Sequence, residues 1–297
     1  MAQNGAQALL QTLVDCEVDV CFTNPGTSEM HFVAALDQQP GMRAILGLFE
    51  GVVTGAADGY GRMAGKPACT LLHLGPGLAN GLANLHNARR ARTPIVNVVG
   101  EHATYHRALD APLTSDIQGF ARPVSGWIEV SERAEDVARD GARAVQAAYA
   151  GSGQIATLIL PADSAWNDCP DSAAPLPRPA KASVAATQVD AVANVLRSGE
   201  PTVLLCNGDA VTEAGLALLG KIAAATGASL MGDTFIGRIE RGVGRVEIPR
   251  LPYFAEQAED ALRPFAHVVL VDTKAPVSFF AYPGKASTLT PQHAGLH

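Results

Sequence analysis

Short apolar runs alternate with longer stretches of helical periodicity along the first 170 residues. The apolar runs are short enough to be buried strands, and they are predicted at residues 18–23, 42–49, 68–74, 94–99 and 155–160. Apolar positions recur at helical spacing over residues 6–15, 52–63 and 78–91. Helices of ten or more residues between short strands imply right-handed crossovers and a parallel sheet. The pattern predicts an α/β domain with a doubly wound parallel sheet over residues 1–170.

The composition changes sharply after this domain, where four prolines fall between residues 169 and 183. Such a stretch favours a semi-rigid interdomain linker, assigned to residues 171–185. Alternating elements then resume, which predicts a second, Rossmann-like central α/β domain over residues 186–297. Its last residues are polar and end without a recognisable final element. We therefore expect this domain to be truncated, as in a fragment or a split subunit.

Charge and cysteine content exclude several classes of function. The net charge is −7 and the pI is about 5.6, so no basic face for nucleic acid or anionic lipid is indicated. The five cysteines are scattered without a CxxC pair, which favours reduced thiols over a zinc site or a disulfide framework. No signal pattern or membrane-length apolar run is present. The expectation is a cytoplasmic protein without nucleic-acid or membrane partners.

Three segments carry candidate chemistry, each where a predicted strand gives way to a helix. Ligands of open parallel sheets bind beyond the carboxyl ends of the strands, which is where Glu50 is predicted to lie. Its apolar neighbours Leu48, Phe49, Val52 and Val53 are expected to desolvate the carboxyl. The simpler interpretation is a helix N-terminal glutamate that interacts with the macrodipole.

The other two segments are the turn at residues 24–29 and the Gly75-Pro76-Gly77 segment with Asn80. Glycine allows close approach to a ligand, although the first segment also fits a plain turn with a capping box. The second lacks the spacing of a dinucleotide or P-loop fingerprint.

Taken in order, these segments resemble the pyrimidine-binding domain of thiamine-diphosphate (ThDP) enzymes. The match comprises Asn24-Pro25-Gly26, the run from Glu50 to Pro67, Gly75-Pro76-Gly77 with Asn80, and residues 93–100. It is similar to acetolactate synthase large subunits and to benzoylformate decarboxylase. The resemblance is strong over residues 4–170 and looser over residues 186–297.

The resemblance implies roles for individual residues. Glu50 would hydrogen-bond the aminopyrimidine ring of ThDP and promote loss of the proton from thiazolium C2. His73 would be an active-site histidine, and Leu113 would line the substrate pocket together with Thr27 and His73. The implied cofactor-binding residues are Pro25, Gly26, Thr27, Glu50, Gly75, Pro76, Gly77 and Asn80. A locally bonded strand-end histidine and ordinary loop packing remain the alternatives for His73 and Leu113.

The resemblance leaves the reaction open. It implies decarboxylation and carboligation of 2-oxo acids, of the acetolactate synthase type. A benzoylformate-type decarboxylase and a non-catalytic paralogue are the alternatives. Residues 275–282 lack the second histidine of that decarboxylase, and Gly51 follows Glu50 where acetolactate synthases have glutamine. The turn at residues 206–210 could hold FAD, although a structural turn without a ligand is favoured.

The family binds Mg²⁺ and the cofactor's diphosphate with a Gly-Asp-Gly segment followed by an asparagine. Neither Gly208-Asp209 nor Gly232-Asp233 continues with glycine, so no metal ligand is assigned in this chain. We expect the diphosphate and Mg²⁺ to be bound by a domain outside these 297 residues. The expected partners are a small 2-oxo acid and either a homo-oligomer (dimer or tetramer) or a separate diphosphate-binding subunit.

Overall fold

The structure is a computed structural model that describes residues 3–297. The chain divides into two compact units, the first ending at Lys181 and the second running from Ala182 to His297. Within residues 3–297, no helix combines the length and the apolar character that crossing a membrane requires.

The first unit alternates strands and helices through most of its length. Its strands are β1 (Gln3–Asn4), β2 (Val20–Asn24), β3 (Arg43–Leu46), β4 (Ala68–Leu72), β5 (Ile95–Glu101), β6 (Trp127–Val130), β7 (Ile155–Pro161) and β8 (Asp168–Cys169). Its α-helices are α1 (Gly5–Asp15), α2 (Met30–Leu36), α3 (Glu50–Ala64), α4 (Leu74–Ala91), α5 (Ile117–Ala121), α6 (Ala134–Ala148) and α7 (Ala162–Trp166). Two short 3₁₀ segments cover Thr27–Glu29 and Arg107–Leu109.

Six of these strands form one parallel sheet in the order β3-β2-β4-β5-β7-β6, and β1 pairs with β8 in an antiparallel ribbon. Side chains of α1 and α6 bury one face of the sheet, and those of α3 and α4 bury the other. The predicted doubly wound sheet is therefore confirmed. The chain passes from β2 out to β3 and returns to β4 on the other side of β2, so a crevice opens at the carboxyl ends of β2 and β4.

The second unit contains a smaller parallel sheet in the order β10-β9-β11-β12. Its strands are β9 (Thr202–Cys206), β10 (Ser229–Gly232), β11 (His267–Val271) and β12 (Gly295–Leu296), and its helices are α8 (Ala186–Arg197), α9 (Glu213–Thr226) and α10 (Ala255–Leu262). Apolar clusters lie on both faces of this sheet. This arrangement confirms the predicted Rossmann-like α/β architecture.

Two predicted boundaries next to the crevice are wrong. The second strand ends at Leu46, because Asn24 donates from its side chain to the Gly47 carbonyl (2.8 Å) and the chain turns there. Glu50 therefore opens α3 and does not end a strand. Helix α4 begins at Leu74, four residues before the predicted start. Pro76 is tolerated in its first turn, since the amide groups at that position have no intrahelical acceptor.

Part of the proline-rich segment packs on the first unit. The Ala173 amide donates to Thr12 Oγ1 at 2.9 Å, and the Arg178 guanidinium lies 4.0 Å from the Tyr149 ring centroid. These contacts tie residues up to Arg178 to the first unit, so most of the segment predicted as a linker is not a free tether.

Candidate active site

Glu50 occupies the first position of α3, and its carboxylate faces the start of α4. The residue is 7% exposed. Asn80 of α4 donates from Nδ2 to Glu50 Oε2 at 3.0 Å, while Oε1 has no hydrogen bond to any residue in the described range 3–297. One carboxylate oxygen is thus fixed by the protein, and the other is left to bind a ligand.

Gly77 leaves a space between Glu50 and His73. A Cβ atom built at Gly77 would lie 3.0 Å from Glu50 Oε1 and 3.2 Å from His73 Cβ. Both side chains therefore border the same small volume, and any side chain at position 77 would fill it. Sequence reasoning chose all three residues, and the structure brings them together.

Close packing between α3 and α4 fixes the distance between these groups. Thr54 Oγ1 donates to the Gly81 carbonyl at 3.0 Å, and Asn84 Nδ2 donates to the Gly51 carbonyl at 2.6 Å. A Cβ at Gly81 would lie only 2.8 Å from Thr54 Cγ2, so the helices cross with almost no side chain between them. Glu50 and Asn80 are held by this crossing.

His73 follows β4 directly and reaches across the crevice to the segment after β2. Its Nδ1 lies 2.8 Å from Glu29 Oε2, and the same oxygen accepts the Gly26 amide at 2.8 Å. Glu29 is buried, and sequence reasoning assigned it no role. Its spacing from Gly26, a glutamate three residues after a turn, is that of a capping box, which accounts for the bond to the Gly26 amide but not for the contact with His73. No side-chain hydroxyl caps α2, and the Glu29 carboxylate bonds the turn instead.

Leu113 lies in the loop that covers the first turn of α4. Ser115 Oγ donates to the Leu113 carbonyl at 3.1 Å, and a Cβ at Gly75 would lie 2.3 Å from Ser115 Cβ. The Leu113 side chain packs partly against the core cluster beneath α4. The structure thus places this loop beside the Gly75-Pro76-Gly77 segment, and Pro25 and Thr27 lie in the segment that follows β2.

The apolar residues expected to desolvate Glu50 behave differently from the prediction. Val53 is buried, whereas Leu48, Phe49 and Val52 are 91%, 48% and 60% exposed. The carboxyl of Glu50 is buried by α4 and not by its sequence neighbours. The prediction treated residues 48 and 49 as part of a strand, but they lie in an exposed turn.

The turn considered for FAD in the second unit is engaged by its own carboxylates. Asp272 Oδ2 accepts the Asp209 amide at 2.9 Å, and Asp233 Oδ2 accepts Asn207 Nδ2 at 3.1 Å. One backbone amide of this turn, that of Asp209, is thus bonded to a carboxylate, and the Gly208 amide is bonded to the Asn207 side chain. Among residues 3–297 there is no group of three or more His, Cys, Asp and Glu side chains that could hold a metal ion.

Comparison with known proteins identifies the domain in which this crevice lies. Residues 3–121 match the family model described as "Thiamine pyrophosphate enzyme, N-terminal TPP binding domain", thiamine pyrophosphate being another name for ThDP. This part of the chain belongs to the N-terminal domain of thiamine pyrophosphate enzymes. The domain contains every residue of the crevice described above.

Relatives of this thiamine pyrophosphate domain support both resemblances drawn from the sequence. The chain is 58% identical over 294 residues to the Mycobacterium tuberculosis protein named "Putative acetolactate synthase large subunit IlvX", covering 99% of this chain and 56% of that one. It is 33% identical over 143 residues to the benzoylformate decarboxylase of Pseudomonas aeruginosa, covering 48% of this chain and 27% of that protein. The chain thus spans about half of the length of IlvX.

The fold agrees with solved structures of thiamine pyrophosphate enzymes. The ThDP-dependent 4-hydroxybenzoylformate decarboxylase of Rhodococcus jostii RHA1 superimposes with a TM-score of 0.80 at 22% identity, over 98% of this chain and 55% of the other. At this identity the likeness establishes the architecture of both units.

Proposed function

We propose that the chain supplies the cofactor-activating part of a ThDP-dependent enzyme that decarboxylates 2-oxo acids and transfers the resulting acyl group, in the manner of acetolactate synthase. The observation that carries this proposal is the Glu50 carboxylate, buried and tied through Oε2 to Asn80 while Oε1 has no partner in the described chain. The identity to IlvX across nearly the whole chain supports the acetolactate synthase type.

The crevice fits the aminopyrimidine ring of ThDP. Glu50 Oε1 can hydrogen-bond a ring nitrogen, and a Cβ at Gly77 would crowd that oxygen at 3.0 Å. When bound, ThDP supplies a thiazolium ring that accepts the electron pair released on decarboxylation. Glu50 holds or shares a proton at the ring nitrogen, because a carboxyl within hydrogen-bond reach of a heterocyclic nitrogen can act as a general acid or base. Asn80 orients that carboxyl.

His73 is the candidate group on the substrate side. It is partly exposed, and its Nδ1 is engaged by Glu29, which leaves Nε2 for a substrate oxygen or a proton. This histidine favours a decarboxylase of the benzoylformate type as the second candidate. Thr27 and Leu113 would line the pocket for the substrate side chain.

We further propose that a partner completes the site. The described residues supply no cluster for Mg²⁺, so the diphosphate would be held by another domain or subunit, in a dimer, a tetramer or a hetero-oligomer. The apolar side chains of Leu48, Phe49 and Val52, next to Glu50 in sequence, are exposed. Exposed apolar side chains next to a buried acid are suited to being covered by such a partner.

The proposal is tested by combining the full chain with the part of IlvX that the alignment does not cover, and titrating with ThDP and Mg²⁺ in a calorimeter. Binding should require both proteins, and the complex should consume pyruvate. Glu50→Gln should reduce turnover at least about 100-fold, as expected for loss of a proton-transfer group.

Glu213→Gln is a control for the position at a helix start, because Glu213 also opens a helix but is exposed, paired with Arg245 and outside the crevice. Its turnover should be unchanged. Equal loss in both variants would assign Glu50 to the helix dipole alone. Tight ThDP binding without turnover of any 2-oxo acid would establish a non-catalytic paralogue.

A further inference from the structure

Glu29 lies beneath His73 and is more deeply buried than the histidine. Its side chain is 1% exposed, compared with 23% for His73. Oε2 accepts the Gly26 amide at 2.8 Å and lies 2.8 Å from His73 Nδ1. In the tautomer with its hydrogen on Nδ1, that N–H donates to Oε2 and Nε2 is the unprotonated nitrogen.

Gly26 lets the imidazole ring pack against the backbone. A Cβ at Gly26 would lie 2.3 Å from both Nδ1 and Cε1 of His73, far inside van der Waals contact. Any other residue at position 26 would displace the ring from Glu29. The position of the His73 ring therefore requires glycine at position 26 of the Asn24-Pro25-Gly26 turn.

Gly100, near the end of β5, confines the other side of the carboxylate. A Cβ there would lie 1.7 Å from Glu29 Oε1. This oxygen is buried and has no hydrogen-bond partner within the described residues. Leaving a buried acceptor unpaired is costly, and such costs are concentrated at functional sites. Close packing against Gly100 therefore holds the Glu29 carboxylate in the orientation in which Oε2 contacts the Gly26 amide and His73.

We propose that Glu29 is a positioning residue, seated against Gly26 and Gly100, that fixes His73 as the Nδ1–H tautomer and presents Nε2 as a proton acceptor. The inference deepens the proposed function and rests on it for the role of Nε2. A carboxylate that orients a histidine through Nδ1 sets which nitrogen faces the reaction, as it does for metal-bound and catalytic histidines generally. The group facing Nε2 would be an oxygen of the 2-oxo acid.

The tautomer is measured directly by long-range ¹H–¹⁵N NMR of the uniformly labelled full chain without cofactor, with His73→Asn to assign the signals. The wild-type ring should be in the Nδ1–H form. Glu29→Gln, which keeps the shape and removes the charge, should shift the ring toward the Nε2–H form. Gly100→Ala, which does not touch His73 directly, should also shift the ring toward the Nε2–H form because its methyl group would displace Glu29. The control Glu129→Gln alters a carboxyl on β6 paired with Arg143 and should leave the ring unchanged.

In the completed enzyme, Glu29→Gln should lower kcat about 10- to 100-fold with KM changed less than about threefold, the pattern for loss of an interaction used in the transition state. An Nε2–H ring in the wild type would overturn the inference, even if Glu29→Gln does not fold. An unchanged tautomer of the His73 ring in a folded Glu29→Gln variant would also overturn the inference. Failure of the proposed function is distinguishable, because it would appear as absent turnover with the Nδ1–H ring still present.

Discussion

Asn80 donates a hydrogen bond to Glu50 across 30 residues of sequence, and the bond joins two helices that start at the same crevice. It fixes Oε2 and directs Oε1 toward the space above Gly77. The acid and its anchor are on different helices, so the α3–α4 crossing determines the geometry of the site. Disturbing either the bond or the crossing should alter the chemistry of Glu50 without unfolding the unit.

Replacing the anchor should reduce activity. A hydrogen bond to a charged group contributes about 1.5–3 kcal/mol, so Asn80→Ala should lower kcat of the completed enzyme roughly 10- to 100-fold. Asn87→Ala is the matched control, being an exposed asparagine on the same helix. Its kcat should stay within about twofold. Steady-state assay of both variants checks this, and equal rates would mean that Asn80 does not orient Glu50.

Alanine should stabilise the chain at Gly59 but lower turnover at Gly77. Nothing lies within 4 Å of a Cβ at Gly59 in α3, so Gly59→Ala should raise the free energy of unfolding by about 0.5–1 kcal/mol. Gly77→Ala should lower turnover at least about tenfold, because its methyl group enters the space between Glu50 and His73. Denaturant melts and rate assays measure both effects. An active Gly77→Ala enzyme would argue against a ligand in that space.

Glu101, at the end of β5, gives the first unit a predicted pH dependence. Burial raises the pKa of this carboxyl, partly offset by the His102 amide and by Arg107. A raised folded-state pKa means that the native state binds the proton more tightly than the unfolded state. The Glu101 carboxyl therefore stabilises the native state at low pH. This stabilisation is lost as the pH rises from the ordinary pKa of a glutamate through the higher pKa of the folded state.

Glu101→Gln should remove this loss and make the chain more stable at neutral pH than the wild type. Urea melts between pH 4 and 8 would show the wild-type and variant curves converging toward low pH. Glu129→Gln, with a partly exposed, ion-paired carboxyl, should show no such convergence. A variant less stable than the wild type at pH 7 would contradict the assignment.

The cysteines should be unreactive in the native chain. All five are buried, and burial raises the pKa of Cys206 to about 12. At pH 8 roughly one Cys206 in ten thousand would be a thiolate, which is the reactive form. A thiol-titrating disulfide reagent should therefore detect almost no thiol until denaturant is added, and five afterwards. Rapid labelling without denaturant would indicate that a β-strand opens locally.

The sequence predicted the sheet and both α/β units well, because strands such as β4 and β9 are continuous apolar runs that water cannot solvate favourably. It misplaced the starts of α3 and α4. Pro76 and the glycines around it suggest a turn, but at a helix N-terminus they are compatible with helix.

Motif order selected Glu50, His73 and Asn80, since Glu50 and His73 lie just after strands and Asn80 lies early in the helix that follows β4. Glu29 could not be found this way. Its role depends on contacts with His73 and Gly100, which are 44 and 71 positions away along the chain and adjacent only in the folded sheet. The exposure of Leu48 and Val52 was likewise unpredictable, because apolar character alone does not distinguish a core position from one that a partner covers.

The most direct test of the account is a crystal structure of the chain with its diphosphate-binding partner, ThDP and Mg²⁺. We predict that Glu50 Oε1 lies about 2.6–3.2 Å from a nitrogen of the aminopyrimidine ring, with Asn80 still bonded to Oε2. A carboxyl of Glu50 turned to solvent, more than ~5 Å from that ring, would contradict the central claim.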